Sequence, residues 1–150
     1  MLRNPDFASH VRAIFSKAAF VTDLGIELAR IEEGTCETSL IVKPRHLQQD
    51  GVVHAGVLAT IADHTAGGAA ATLLAADQGV LSIEFKINLL RSARGERLFC
   101  KSAVLKAGRT ISVVEAEVFS LANAEATPLL CAKATVTLAI VSWSASDNLR

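Results

Sequence analysis

Gln48 to Ala70 reads QQDGVVHAGVLATIADHTAGGAA, and the fold follows from that stretch. A polar turn, Gln48 to Gly51, leads through Val52 and Val53 to His54. The chain then becomes apolar and predicts a helix from near Ala55 to about Ala75. Gly56, Ala59, Thr60, Asp63, Ala66, Gly67 and Ala70 fall three or four apart and share one face, which is almost all small. Val57, Leu58, Ile61, Leu73 and Leu74 supply larger contacts elsewhere. Such a face lets another backbone or a ligand approach closely. The Gly67-Gly68 pair costs roughly 1 kcal/mol per glycine relative to alanine, which points to a packing reason for it. A helix this apolar is expected to be buried, where an ionised carboxylate is costly without a partner. Asp63 is therefore either compensated locally or functional.

The flanking chain reads as the sheet that encloses this helix. Before it, Asn4 is an N-cap candidate with Pro5 at the first helical position. Phe7, Val11, Ile14, Phe15 and Ala18 recur at helical spacing, giving a helix that ends near Ala19. Residues 24–32 and 35–43 alternate in polarity around a Glu33-Gly34 turn, which predicts a β-hairpin closed off by Pro44. After the central helix, Asp77 to Gly79 read as a turn, and four strands follow over 80–91, 96–107, 109–122 and 127–141. The tail from Ser142 is polar and reads as frayed. The expected fold class is α+β: a six-stranded antiparallel sheet wrapped around a long central helix, with an N-terminal helix. No linker or repeat divides residues 1–150, so one domain is expected.

Composition narrows the function. The chain has 150 residues, 51% hydrophobic and 20% charged, a globular balance. Formal net charge is zero, so nothing advertises a nucleic-acid or membrane surface, and neither partner is expected. Cys36, Cys100 and Cys131 lack the spacing of a metal site or redox pair and read as reduced core thiols, which fits a cytoplasmic protein. No metal is expected. The N-terminus lacks the apolar core of a signal peptide.

Asp63 is a candidate general base, or a nucleophile toward an activated carbonyl; the alternative is an aspartate on the one solvated patch of the helix, or one paired to a nearby Thr or Lys. His54 stands at the helix start, where the N–H groups of Ala55 and Gly56 lie at the positive end of the dipole and can stabilise an oxyanion. His54 orients that loop or contacts the same carbonyl. Gln48 is placed to hold a water or the substrate oxygen. Ser82 opens a strand and is a hydrogen-bond candidate for an attacking water. Arg91, Arg94, Lys106 and Arg109 lie at strand ends and turns, a candidate phosphate-binding cluster. Asp63 is about eight residues from the first helical N–H groups, on the order of 12 Å at 1.5 Å per residue. One chain cannot bring both to one carbonyl, so the two halves would meet across a two-fold dimer with antiparallel helices.

Gly51 to Asp63, GVVHAGVLATIAD, with SIEFKINLLR (82–91), VLKAGRT (104–110) and LLCAKATVT (129–137), resembles the hotdog-fold acyl-CoA thioesterases of the PaaI, phenylacetate-pathway type. The family pattern is N-x-x-G-x-x-H-G-G with an Asp nine residues after the His. The resemblance covers roughly residues 20–140. It implies hydrolysis of an acyl-CoA thioester to acid and CoA, with Asp63 catalytic, the Ala55 N–H as oxyanion donor, a polar side chain at Gln48 and a hydroxyl near Ser82. It also implies homodimers pairing into homotetramers with sites at subunit interfaces, and no bound cofactor, CoA arriving with the substrate. Ala55 stands where the family has its first glycine after the His, and Gln48 where it has asparagine. The rival expectations are a hydratase or dehydratase on the same fold, and a non-catalytic acyl-CoA binder or sensor.

Overall fold

The computed structural model describes residues 4–143. Two short helices, α1 (Phe7–Lys17) and α2 (Ala19–Leu24), precede the hairpin of β1 (Ile26–Glu32) and β2 (Thr35–Ile41). The long helix α3 (Ala55–Ala71) follows. Then come β3 (Gln78–Leu89), β4 (Arg97–Ala107), β5 (Ile111–Leu121) and β6 (Leu129–Ser142). The strands form one antiparallel sheet in the order β1-β2-β4-β5-β6-β3, and the expected architecture is the observed one.

The sheet closes around α3. Strand β5 alternates buried and part-buried residues along its length, so Ser112, Val114, Ala116, Val118 and Ser120 face inward. Leu98 and Cys100 of β4 and Ala134, Val136 and Leu138 of β6 complete that inner surface. Against it α3 sets Leu58, Ile61, Ala62, Thr65, Ala66 and Ala69, each almost inaccessible to solvent. A helix enclosed on this scale has little polar stripe to present. Burial also pushes the thiols of Cys36 and Cys100 up to about 12, which keeps them protonated and inert.

A buried polar cluster registers the helix on the sheet. The Thr65 hydroxyl donates to the Ile61 carbonyl at 2.5 Å. Its oxygen lies 2.7 Å from that of Thr38, whose proton is then the one shared between them. The Ser102 hydroxyl reaches the carbonyls of both Thr65 (2.8 Å) and Cys36 (3.1 Å). Thr38 and Thr65 thus share a hydrogen bond and Ser102 meets backbone carbonyls, where an unmet hydrogen bond would cost about 1–3 kcal/mol.

The boundaries differ from the sequence reading in five places. The N-terminal helix breaks at Ala18 and resumes as α2, ending at Gly25, whose positive φ of 88° suits a glycine C-cap. Asp6, not Asn4, stands at the N-cap of α1; Asn4 instead accepts the Asp6 N–H at 3.0 Å. The central helix stops at Ala71, before the predicted Ala75. There the Thr72 hydroxyl donates to Ala69 O and accepts the Gly34 N–H of the β1–β2 turn. Strand β3 begins at Gln78, inside the predicted turn. Of the tail expected from Ser142, Ser142 belongs to β6 and pairs with Gln78; residues 144–150 lie outside the described residues.

The two glycines of α3 have different reasons. A Cβ on Gly68 would sit 2.8 Å from Cys36 Sγ and 3.0 Å from the Phe15 ring, so α1 and β2 pack where it is absent. A Cβ on Gly67 would meet nothing nearer than Val80 at 3.9 Å. The expected outcome is opposite in sign. Gly68→Ala lowers stability, since overpacking of about 1–3 kcal/mol exceeds the helix-propensity gain. Gly67→Ala raises stability by up to about 1 kcal/mol. Chemical denaturation of the two variants beside wild type checks both.

Candidate active site

The loop from Lys43 to His54 is held from inside by a residue the sequence reading passed over. His46 is fully buried. Its Nδ1 accepts the Lys43 N–H at 2.9 Å, and its Nε2 donates to the Leu24 carbonyl at 2.8 Å. Its own carbonyl accepts the His54 N–H at 2.8 Å. The turn above is closed by Gln48 N–H to Val52 O and Gly51 N–H to Gln48 O, with Gly51 at φ 71°. Val53 N–H to Ala93 O ties the loop to the segment after β3. Nothing in the local sequence marks His46, because a polar loop gives no periodicity from which burial is read.

His54 is the N-cap of α3. Its Nδ1 accepts the Gly56 N–H at 2.9 Å, which sets the neutral imidazole's proton on Nε2. The two candidate N–H groups are thereby separated. That of Gly56 is occupied by His54; that of Ala55 has no acceptor among the described residues. Beside it opens a cavity of about 390 Å³ lined by Gln48, Ala55, Leu58, Leu89, Leu90 and Arg91, among others. Gln48 is half-buried there and donates to Asp50 at 3.1 Å.

Asp63 lies two turns further along α3, half-buried. The Ser82 hydroxyl donates to its Oδ1 at 2.7 Å, leaving Oδ2 available. Asp63 and Ser82 border a second cavity, of about 270 Å³, with His64, Gly67, Val80 and Trp143. His64 packs edge-on against Phe15, ring centroids 4.4 Å apart. Burial pushes its imidazole below the usual range, with a smaller opposing pull from Asp63.

The structure brings Ser82 to Asp63 and gathers Gln48, His54, Ala55 and Gly56 into a second group. It does not bring the two groups together within one chain. The basic residues divide the same way. Arg91 (to Leu130 O, 3.0 Å) and Arg94 (near Gly51 O, 3.5 Å) stand with the helix N-terminus beyond the end of β3. Lys106 and Arg109 flank the β4–β5 turn, whose Ile111 pairs with Ala139, which in turn pairs with Leu81 near the start of β3. Leu81 and Leu89 are separated by eight residues of strand, on the order of 26 Å. Among the described residues no group of three or more His, Cys, Asp or Glu could hold a metal ion. No helix there is long and apolar enough to cross a membrane.

A long apolar helix wrapped by an antiparallel sheet, with a carboxylate mid-helix and a free N–H at its start, is a hotdog-fold protein. The chain belongs to the thioesterase superfamily, whose family model matches residues 50–127, and it is a thioester hydrolase. A solved thioesterase family protein from Silicibacter pomeroyi is 31% identical, with 91% of this chain and 99% of that one covered and a TM-score of 0.88. A 1,4-dihydroxy-2-naphthoyl-CoA hydrolase from Listeria monocytogenes is 28% identical over 72% of this chain and 85% of its own length. The Escherichia coli PaaI protein shares the fold, at 18% identity, a TM-score of 0.79, and coverage of 92% of this chain and 95% of its own.

Replacing His46 with alanine removes two hydrogen bonds to part-buried backbone groups and the packing of a buried ring. We expect a loss of about 2–4 kcal/mol in folding stability. Exchange of the His54 amide should also rise out of proportion to that of the β5 amides. Denaturant melts and amide exchange check the pair of outcomes.

Proposed function

We infer that the protein hydrolyses acyl-CoA thioesters at a site built from two copies of the chain. The observation that carries this is the separation of the half-sites. Asp63–Ser82 lies by the start of β3, and Gln48–Ala55 by its end. Strand β3 is a sheet edge, paired only with β6. It exposes Leu81 (53%), Ile83 (56%), Phe85 (40%) and Leu89 (54%). A long edge with such side chains invites pairing. The opposite edge, β1, carries Glu27, Arg30 and Glu32 and a bulge after Leu28. A two-fold axis near Phe85 that pairs β3 with β3 sets the start of each strand beside the end of the other. The same operation brings Asp63 toward the partner's Ala55, and Lys106 and Arg109 toward the partner's Arg91 and Arg94. One symmetry element thus completes both the reacting centre and a basic patch for the phosphates of CoA.

In this reading the thioester carbonyl oxygen accepts the Ala55 N–H, where the helix dipole adds to the hydrogen bond. Asp63 takes a proton from water as hydroxide adds to the carbonyl carbon. The tetrahedral intermediate then expels CoA thiolate, which recovers the proton. Direct attack by Asp63, giving a mixed anhydride that water opens, uses the same atoms. Ser82 fixes the carboxylate rotamer in either course. Gln48 supplies an amide to the bound oxygen or water. His54 acts through the backbone by capping the helix that presents Ala55.

Two substitutions isolate the two halves. Asp63→Asn keeps shape and removes the base; kcat should fall about 10²–10⁴-fold. Ala55→Pro removes one N–H at the helix position where proline is tolerated. His54 already has the extended φ −62°, ψ 138° that precedes proline comfortably. It should cost about 10²–10³-fold in kcat with an unchanged melting temperature. Thiol release from a panel of acyl-CoAs measures both. Equal activity of Asp63→Asn and wild type would make Asp63 structural, and a wild type that binds acyl-CoA without turnover would be a binder.

A further inference from the structure

We propose that Trp143, seated on Gly79, closes the cavity beside Asp63 and with Gly67 makes it the acyl pocket of a hydrolase selective for compact, uncharged acyl groups. The inference rests on the thioesterase reading above and extends it to the acyl group. Trp143 follows the last residue of β6 and lies beside the start of β3. Its backbone N–H donates to the Asp77 carbonyl at 3.1 Å. A Cβ at Gly79 would collide with the indole nitrogen, so glycine is what allows the ring to lie against the strand. The hydrogen bond places the Trp143 backbone, and the gap at Gly79 seats the ring, which stays half exposed. It forms one wall of the cavity that Asp63 and Ser82 border.

Gly67 is the second determinant. Its Cβ would make only an ordinary contact with Val80 at 3.9 Å, unlike the close approaches at Gly68. Packing of the fold therefore does not require glycine there, and helix propensity opposes it by roughly 1 kcal/mol. What glycine preserves at that position is the volume of the cavity, which Gly67 lines.

Size and charge then define the ligand. The cavity holds about 270 Å³. A dry cavity of about 150 Å³ is enough for benzene, so the space suits one ring with a short linker or about six to eight carbons. Ile14, Val80 and Leu138 give it apolar walls. His64 is the other titratable lining group, and its burial keeps it uncharged near neutral pH. Asp63 is then the one charge facing the acyl group, and it repels a second carboxylate such as that of succinyl-CoA.

The test uses the full chain and compares acetyl-, hexanoyl-, phenylacetyl-, dodecanoyl- and succinyl-CoA. Wild type should favour hexanoyl- and phenylacetyl-CoA over dodecanoyl- and succinyl-CoA. Gly67→Val should lower kcat/KM for phenylacetyl-CoA at least about tenfold more than for acetyl-CoA, the discrimination expected of a few carbons in an apolar pocket. Trp143→Ala should raise kcat/KM for dodecanoyl-CoA by about tenfold or more relative to acetyl-CoA. Trp143→Phe should lie between, and it serves as the folded control if the alanine variant melts early. Trp143 is the chain's one tryptophan, which gives a readout independent of turnover. In Asp63→Asn, phenylacetyl-CoA should shift its fluorescence and CoA alone should not. A shift without wild-type turnover would leave the pocket assignment standing and remove the hydrolase reading. Turnover with no shift, or variants that scale all five substrates alike, would overturn the pocket assignment.

Discussion

A helix cannot be shortened. Ala55 and Asp63 sit on one α3, and the rise of that helix holds them on the order of 12 Å apart. The rest of the structure keeps this distance rigid. The sheet grips α3 through apolar contacts on its inner face, and Thr38, Thr65 and Ser102 fix its rotation by hydrogen bonds in the dry interior. The loop before it hangs from His46, so the start of the helix is as firmly placed as its middle. A site that needs both groups at one carbon atom therefore needs a second copy of the helix.

Sheet order supplies the means. Because β3 comes last in the spatial order although third in sequence, it is left as an edge, and the two cavities lie against its two ends. The bulge at Ile83 shifts register between Ser82 and Glu84, and Ser82 on the near side of that shift points its hydroxyl to Asp63. The edge strand thus carries a residue that orients the carboxylate as well as the apolar side chains suited to a partner. In the proposed dimer, function and association are properties of one strand.

Much of the fold was legible in the sequence because its elements have strong periods. The alternation of 35–43 and 109–122 and the mostly apolar character after Ala55 each have one simple reading. The boundaries that moved were set by tertiary contacts. Thr72 ends α3 because its hydroxyl meets Gly34, and α2 forms from AFVTDL, a short run with no period of its own. In the candidate site, Asp63 stood out as a lone carboxylate in an apolar helix. What local sequence does not carry is which neighbour each group meets. Gly67 and Gly68 look alike until Cys36 and Phe15 are seen to press on only one of them. His54 and Gly56 read as separate candidates, yet one occupies the other. Trp143 fell in a tail judged polar, while its indole packs back onto Gly79.

In the proposed dimer each site takes its base from one chain and its oxyanion donor from another. Mixing Asp63→Asn with Ala55→Pro after joint unfolding and refolding tests it directly. In a mixed dimer one site carries both defects and the other carries neither, so random pairing should restore roughly a quarter of the wild-type sites. Recovery of thiol release to about that level, from two variants each nearly inactive alone, is the predicted result. No recovery, with mixed dimers present by native mass spectrometry, would contradict the shared site.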